Sequence, residues 1–337
     1  MKGPRPGRRG TNTTPFEYDR ASTFGEAARL LADGAAQPLG GGTDLLVGIE
    51  EGITAASTLV DLRFIPDSAR LTWSADGSLR IGSAARLRDI AADTLIRERY
   101  PALAQACDSV GSPALRTMGT LGGNLCQRPR CWYFRRAIPC LKNGGSSCPA
   151  ASGENQYHAI LDGGPCHIVH PSDPAVALTV LSADVEVTGH AGSRLVPIER
   201  FYVLPSERLD SETVLRTGEV VSAIVLSATA VGGRQWYHKL MQRGAWDFAL
   251  VSIAAARRQD GSVRLAMGGV APRPWRVPSS VEEDVASGGL DEDSIAALAD
   301  RALYDAAPLA KNGYKVALAR SLLRDALREL AREDNTE

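Results

Sequence analysis

Apolar residues recur at helical spacing in several stretches of this chain. Ala27, Leu30 and Leu31 form one apolar face, Thr23 stands at the N-cap position, and Gly34 predicts the end of the helix. The same periodicity predicts helices over 45–51, 85–97, 102–110, 174–181, 294–304 and 315–332. Apolar and polar alternation predicts strands over 59–62, 79–82, 184–187, 193–197, 220–226, 248–257 and 263–270. Because these elements follow no regular βαβ order, the fold class predicted is α+β.

The chain divides into three parts by composition. Residues 1–14 are basic and rich in Gly, Pro and Thr, which predicts a disordered tail. A break near 231–234 separates a first domain, 15–229, from a second α+β domain, 230–337. The total length of 337 residues agrees with more than one domain.

Charge and hydropathy exclude several classes of function. The net charge of −1 and the few aromatic residues give no case for nucleic-acid binding. No apolar run is long enough to span a bilayer. Arg8-Arg9 precedes a polar stretch, which argues against a twin-arginine signal. We expect a cytoplasmic protein, or a periplasmic one if it is exported folded with a signal-bearing partner.

Two turns rich in small residues are candidate ligand sites. The first glycine turn, Gly40 to Asp44, lacks the third glycine of a Rossmann fingerprint and the G-K-[ST] of a P-loop. It is either an ordinary tight turn or a donor-rich turn that suits a pyrophosphate. The second glycine turn, Gly119 to Asn124, permits the same close backbone approach. Together the two turns suggest one ligand held from two sides.

Five of the six cysteines lie in the stretch 126–166, which we call the cysteine segment. Cys131, Cys140, Cys148 and Cys166 have neither the C-x2-C pairs of a zinc ribbon nor the compact spacing of bacterial ferredoxins. Their spacing leaves a [4Fe–4S] cluster, a zinc site and unligated thiols all open. Cys107 reads as a small buried hydrophobe.

Two charged positions have competing interpretations. Asp173 is either a carboxylate favoured by the N-terminus of a helix or a hydrogen-bond partner of a ligand. Lys239 and Arg243 lie among aromatic residues. They are either a solvated face or basic groups that stabilise an anionic ring.

These motifs, in this order, resemble the FAD-binding subunits of the xanthine dehydrogenase family. The resemblance rests on Gly40-Gly-Gly-Thr-Asp44, Thr120-Leu-Gly-Gly-Asn124, Asp173-Pro174 and Lys239…Arg243. It covers the chain from about 16 to about 330. Arg130-Cys-Trp-Tyr-Phe134 and the cysteines after it are similar to the aldehyde oxidoreductase subgroup, whose flavin subunit carries an extra [4Fe–4S] loop.

The resemblance implies a fold and a set of site residues. The fold is an FAD-binding domain of two α+β subdomains, PCMH/VAO-like, followed by an α+β domain of the CO dehydrogenase flavoprotein type. The FAD pyrophosphate is expected at Pro38, Leu39, Gly40, Gly41, Gly42, Thr43, Asp44, Leu45 and Leu46. The other residues expected to contact FAD are Thr120, Gly123, Asn124, Asp173, Val221 and Lys239. The cluster ligands implied are Cys131, Cys140, Cys148 and Cys166. Cys126 is treated as a non-ligand.

The resemblance also implies partners. A small subunit with two [2Fe–2S] clusters and a large molybdopterin subunit would complete a heterotrimer that oxidises aldehydes or heterocycles. This chain would pass electrons from FAD to an external acceptor, and no catalytic residue is implied beyond the flavin-adjacent Lys239. The rival functions are a stand-alone flavin oxidase and a zinc-stabilised interaction module with no redox role.

Overall fold

The computed structural model describes residues 15–332 apart from 231 and 289, so the tail predicted at 1–14 lies outside the described residues. The helices are α1 Phe24–Leu30, α2 Leu45–Glu50, α3 Leu87–Ala92, α4 Thr94–Arg99, α5 Pro101–Asp108, α6 Pro113–Met118, α7 Leu121–Leu125, α8 Trp132–Arg135, α9 Asp173–Val180, α10 Ile198–Phe201, α11 Ser279–Ser287, α12 Glu292–Ala302 and α13 Tyr314–Ala331. The strands are β1 Glu17–Arg20, β2 Ala36–Leu39, β3 Thr58–Asp61, β4 Leu71–Trp73, β5 Leu79–Gly82, β6 Asp184–Gly189, β7 Gly192–Pro197, β8 Val220–Leu226, β9 Arg234–Leu240, β10 Val251–Arg257, β11 Val263–Gly268 and β12 Trp275–Arg276.

The strands form three sheets. A small parallel sheet has the order β1-β3-β2. An antiparallel sheet has the order β4-β5-β8-β6-β7, with a bulge in β6 between Glu186 and Val187. A second antiparallel sheet, β12-β11-β10-β9, belongs to the C-terminal part of the chain. Sheets and helices that alternate irregularly in this way confirm the α+β prediction.

Helix α9 lies at the centre of the molecule. All its residues are buried, and its apolar side chains join a core shared with α5, the five-stranded sheet and one face of β9 to β11. A helix that is apolar all round is stable only where it is covered on every side. Its first residue, Asp173, is therefore held deep inside the protein. A separate core lies between the other face of the C-terminal sheet and α11, α12 and α13.

Most of the predicted elements are present, with some corrections. The helix predicted over 85–97 is wrong as one element, because Asp93 leaves helical geometry and caps α4 by accepting a hydrogen bond from Ile96 N at 2.9 Å. The strand predicted from 248 begins at Val251. Thr23 caps α1 as predicted, accepting from Glu26 N at 3.0 Å. Within the described part of the chain, no helix combines the length and hydropathy needed to span a membrane.

Candidate functional site

The two glycine turns line one cleft of about 490 Å³. The first turn follows β2 and leads into α2, whereas the second contains the start of α7. Residues predicted for the site that line this cleft are Pro38, Gly40, Gly41, Gly42, Thr43, Asp44, Leu45, Thr120, Gly123, Asn124, Asp173 and Lys239. Positions far apart in sequence therefore meet around one opening.

The two turns pack directly on each other, which explains the small residues. A Cβ atom built on Gly41 would lie 1.9 Å from the carbonyl oxygen of Met118, which is backbone and cannot move aside cheaply. A Cβ atom on Gly40 would lie 2.6 Å from Oγ1 of Thr120. Gly42 has a φ of +72°, a conformation that glycine adopts without strain. The glycines are thus required by the contact between the turns.

The first turn presents backbone donors to the cleft. Among the described residues, the backbone N–H groups of residues 40–45 donate no hydrogen bond to another backbone group. These residues are partly exposed, and a run of backbone donors without protein partners along a cleft suits an anionic ligand. These backbone donors fit the pyrophosphate group of a dinucleotide. The first glycine turn is therefore compatible with dinucleotide binding.

The second turn is held by side-chain hydrogen bonds. Thr120 caps α7 by accepting from Gly123 N at 3.2 Å. Asn124 Oδ1 accepts from the Ser172 hydroxyl at 2.6 Å, and Ser172 in turn caps α9. The Asn124 amide NH2 group has no acceptor in the described part of the chain, so it can donate to a ligand in the cleft. These bonds fix the second turn to the start of α9.

Asp173 forms a buried ion pair at the floor of the cleft. Its carboxylate accepts from Lys239 Nζ at 2.7 Å and from the Tyr237 hydroxyl at 2.7 Å. Lys239 also donates to Ser109 O at 3.1 Å. Burial raises the pKa of Asp173, although the ammonium and the hydroxyl favour its ionised form. Lys239 is therefore not part of a solvated face, whereas the side chain of Arg243 is 71% exposed and pairs with Asp247.

Three residues predicted for the site do not line the cleft. Leu39 is buried at the end of β2, and Leu46 is exposed on α2. Val221 is buried in β8, where it pairs with Val187. Their contacts with a ligand stay predictions.

The four predicted cluster ligands lie along the cysteine segment at different degrees of burial. Cys140 and Cys166 are buried, whereas Cys131 and Cys148 are partly exposed. A thiol–thiol hydrogen bond with Cys166 lowers the pKa of Cys148 and raises that of Cys166. Burial raises the pKa of Cys131, and the nearby Cys148 and Cys140 raise it further.

No metal centre is formed by these side chains as they are placed. Across residues 15–332 without 231 and 289, no three His, Cys, Asp or Glu side chains lie close enough together to hold one metal ion. His158 Nε2 lies 3.2 Å from Cys131 Sγ. Cys126 lies apart at the end of α7, lines the cleft, and has its pKa raised to about 12 by burial. The ligand set therefore stays a prediction.

The hydrogen bonds and ion pairs that tie the cysteine segment to the rest of the protein include the following three. At the first turn, Asp44 accepts from Arg135 at 2.7 Å. At the loop before β8, Glu212 pairs with the buried Lys142 at 2.7 Å. At the start of α13, Lys315 Nζ donates to the carbonyls of Tyr157, His158 and Gly269, and burial lowers its pKa to about 7.

Sequence reasoning missed residues that line the cleft or that bond to the residues lining it. Tyr237 could have been found, because it shares one face of β9 with Lys239 at a spacing of two residues. Glu212 had no such signal, since it lies in an irregular stretch without periodicity. Arg130 and Arg135 lie near Cys131 in the sequence, which gave no hint that both pair with Asp44.

Comparisons with known proteins agree with this geometry. The family model for the FAD binding domain in molybdopterin dehydrogenase matches residues 14–227, and that for the CO dehydrogenase flavoprotein C-terminal domain matches residues 207–330. The chain is 37% identical over 321 residues to the aldehyde oxidoreductase FAD-binding subunit PaoB of Escherichia coli K12, covering 93% of this chain and 98% of that protein. It is 28% identical to a xanthine dehydrogenase FAD-binding subunit of Escherichia coli O157:H7, covering 86% of each.

Solved structures show the same fold. Carbon monoxide dehydrogenase from Hydrogenophaga pseudoflava matches with a TM-score of 0.73 at 23% identity, covering 94% of this chain and 98% of the matched chain. Quinoline 2-oxidoreductase from Pseudomonas putida 86 matches with a TM-score of 0.73 at 21% identity, covering 95% and 98%. The predicted combination of an FAD-binding domain and a CO dehydrogenase-type C-terminal domain is confirmed. The chain belongs to the family of FAD-binding subunits of molybdopterin dehydrogenases, and it is an oxidoreductase subunit of the aldehyde oxidoreductase and xanthine dehydrogenase type.

Proposed function

We propose that this chain is the FAD and [4Fe–4S] electron-transfer subunit of a molybdenum-dependent aldehyde or heterocycle oxidoreductase. It receives electrons from a small [2Fe–2S] subunit, beside a large molybdopterin subunit, and delivers them to an external acceptor. The observation that carries the proposal is the single cleft in which both glycine turns meet the Asp173–Lys239 pair.

The residues of the cleft suggest how FAD would be held. The unpaired N–H groups of residues 40–45 would donate to the pyrophosphate oxygens. Asn124 would donate from its free amide. Lys239 and Asp173 line the cleft as an ion pair that is almost completely shielded from solvent. The pair provides a fixed dipole but no net charge. The bound flavin itself supplies the redox chemistry.

The cysteine segment is proposed to hold the cluster through Cys131, Cys140, Cys148 and Cys166. In support, the four thiols come from one irregular stretch, Cys140 and Cys166 are buried, and the nearby Cys148 and Cys140 raise the pKa of the Cys131 thiol. Hydrogen bonds to the sulfurs and solvent exposure are among the factors that set the potential of an iron–sulfur cluster.

The assembled complex tests the proposal through its iron and acid-labile sulfide. We expect both to fall in the Cys140→Ser variant, together with the corresponding signal in the electron paramagnetic resonance spectrum of the reduced complex. Cys107→Ser, at a buried position outside the segment, serves as the matched control and should change neither. Unchanged iron and sulfide in Cys140→Ser, or zinc in place of iron, would contradict the cluster assignment.

A further inference from the structure

We propose that Asp44 is a positioning residue that couples the first glycine turn to the cysteine segment. FAD binding at the turn would order the segment, and the ordered segment would in turn strengthen FAD binding. This inference rests on the proposed role of the turn in holding FAD. It does not depend on which metal, if any, the cysteines bind.

The carboxylate of Asp44 is fully committed to the cysteine segment. Its Oδ2 accepts from the backbone N–H of Arg128 at 2.7 Å. Its Oδ1 accepts from the guanidinium of Arg135 at 2.7 Å and forms an ion pair with that of Arg130 at 2.9 Å. An Asp at a helix N-cap normally accepts from the first backbone N–H groups of its own helix. Asp44 occupies that position on α2 but makes no such bond, because its carboxylate is directed to the cysteine segment instead.

Arg135 extends the connection along the whole of α2. Its guanidinium donates to Asp44 before the helix and to Glu51 after it, the latter at 3.1 Å. It also donates to the carbonyl oxygen of Pro129 at 2.9 Å, within the segment itself. The Arg135 side chain is only 9% exposed, so solvent screens these bonds weakly. The turn, α2 and the start of the segment therefore move as one unit.

A shared unit of this kind makes the two sites thermodynamically dependent on each other. An anion that fixes the N–H groups of the turn also fixes Asp44, and thus the residues bonded to it. By linkage, whatever orders the segment must improve anion binding by the same factor. Couplings between sites are typically about 5- to 150-fold in affinity, so we expect about a tenfold effect here.

The test uses the full chain without bound flavin. FAD is titrated and its dissociation constant is measured by quenching of flavin fluorescence. Hydrogen exchange of peptides from the cysteine segment is then followed with and without FAD. In the wild type, FAD should slow exchange around Arg128 to Arg135. In Asp44→Asn, FAD should bind about tenfold more weakly and should no longer slow that exchange.

A second variant and a double variant separate coupling from general damage. Arg135→Lys keeps the positive charge but cannot bridge Asp44 and Glu51, so it should also lose the FAD-dependent slowing of exchange. The losses of FAD-binding free energy in Asp44→Asn and in Arg135→Lys should not add in the double variant. Arg276→Gln breaks a comparable part-buried pair with Glu282 away from the cleft, and it should leave FAD affinity unchanged.

The outcomes are distinct. If FAD binds the wild type without slowing exchange in the segment, or if the two losses simply add, the coupling is refuted and the FAD site stands. If the wild type fails to bind FAD at all, the proposed function falls, and this inference falls with it.

Discussion

The Asp173–Lys239 pair makes a quantitative prediction for the variant Lys239→Met. The two side chains are only 5% and 3% exposed, so the substitution leaves a carboxylate buried without its cation. Among the described residues, the hydrogen-bond donor that remains for its side chain is the Tyr237 hydroxyl, at 2.7 Å. Removing one partner of a buried pair costs about 3–5 kcal/mol of unfolding free energy. At about 2–4 °C per kcal/mol for a domain of this size, Tm should fall by roughly 6–20 °C.

The loss should depend on pH in a defined direction. Without Lys239, the pKa of Asp173 rises further above its unfolded value of about 3.9. The folded state then binds a proton more tightly than the unfolded state, so stability falls as pH rises. The difference in Tm between wild type and Lys239→Met should therefore be smaller at pH 5 than at pH 8. Differential scanning calorimetry at both pH values measures it.

Two further variants check the reasoning. In the double variant Asp173→Asn/Lys239→Met no charge is left buried, so much of the lost stability should return. Lys311→Met breaks an exposed pair with Glu154, and it should cost less than about 1 kcal/mol. A loss in Lys239→Met that matches the Lys311→Met control, or one that stays constant with pH, would refute the buried-pair account.

Two other predictions concern the attachments of the cysteine segment. Glu212→Gln leaves the buried Lys142 ammonium without its counter-charge. We expect the free energy of unfolding in urea to fall by about 3 kcal/mol and hydrogen exchange near Lys142 to become faster. An unchanged urea midpoint would contradict this prediction. Burial lowers the pKa of Lys315 in the folded state to about 7. Above that pH the unfolded chain therefore binds more protons at this residue than the folded chain does. Lys315 thus makes the free energy of unfolding rise with pH, by up to about 1.4 kcal/mol per pH unit. Lys315→Met should remove that slope between pH 7 and 9, and a slope equal to that of wild type would show that Lys315 is not its source.

The sequence was informative wherever local rules decide the structure. Thr23 predicted the cap of α1, and the alternation over 220–226 predicted β8, because capping and periodicity act within a few residues. The glycine turns were recognisable for the same reason. Their close packing, in which Gly41 meets Met118, was not, because contact between distant turns leaves no periodic signal.

Long-range electrostatics set the limit of prediction from sequence. Asp44 reads as part of a ligand turn, yet its carboxylate serves arginines 84 and 91 residues further along the chain. The sequence indicates that Asp173 is a carboxylate at the start of a helix. In the structure its main partner is Lys239, which lies on β9 of the C-terminal sheet. Buried charges find partners through the tertiary fold, which periodicity does not encode.

The central claim, that the two glycine turns form the flavin cradle, is tested most directly by FAD content in Gly41→Ala. The added Cβ would lie 1.9 Å from Met118 O and so would force the turns apart. Gly25→Ala is the matched control, since the nearest atom to its Cβ is 3.9 Å away and alanine favours helix α1. We expect equimolar FAD released from denatured wild type and Gly25→Ala, and little from folded Gly41→Ala. Full FAD content in Gly41→Ala, or none in the wild type, would contradict the account.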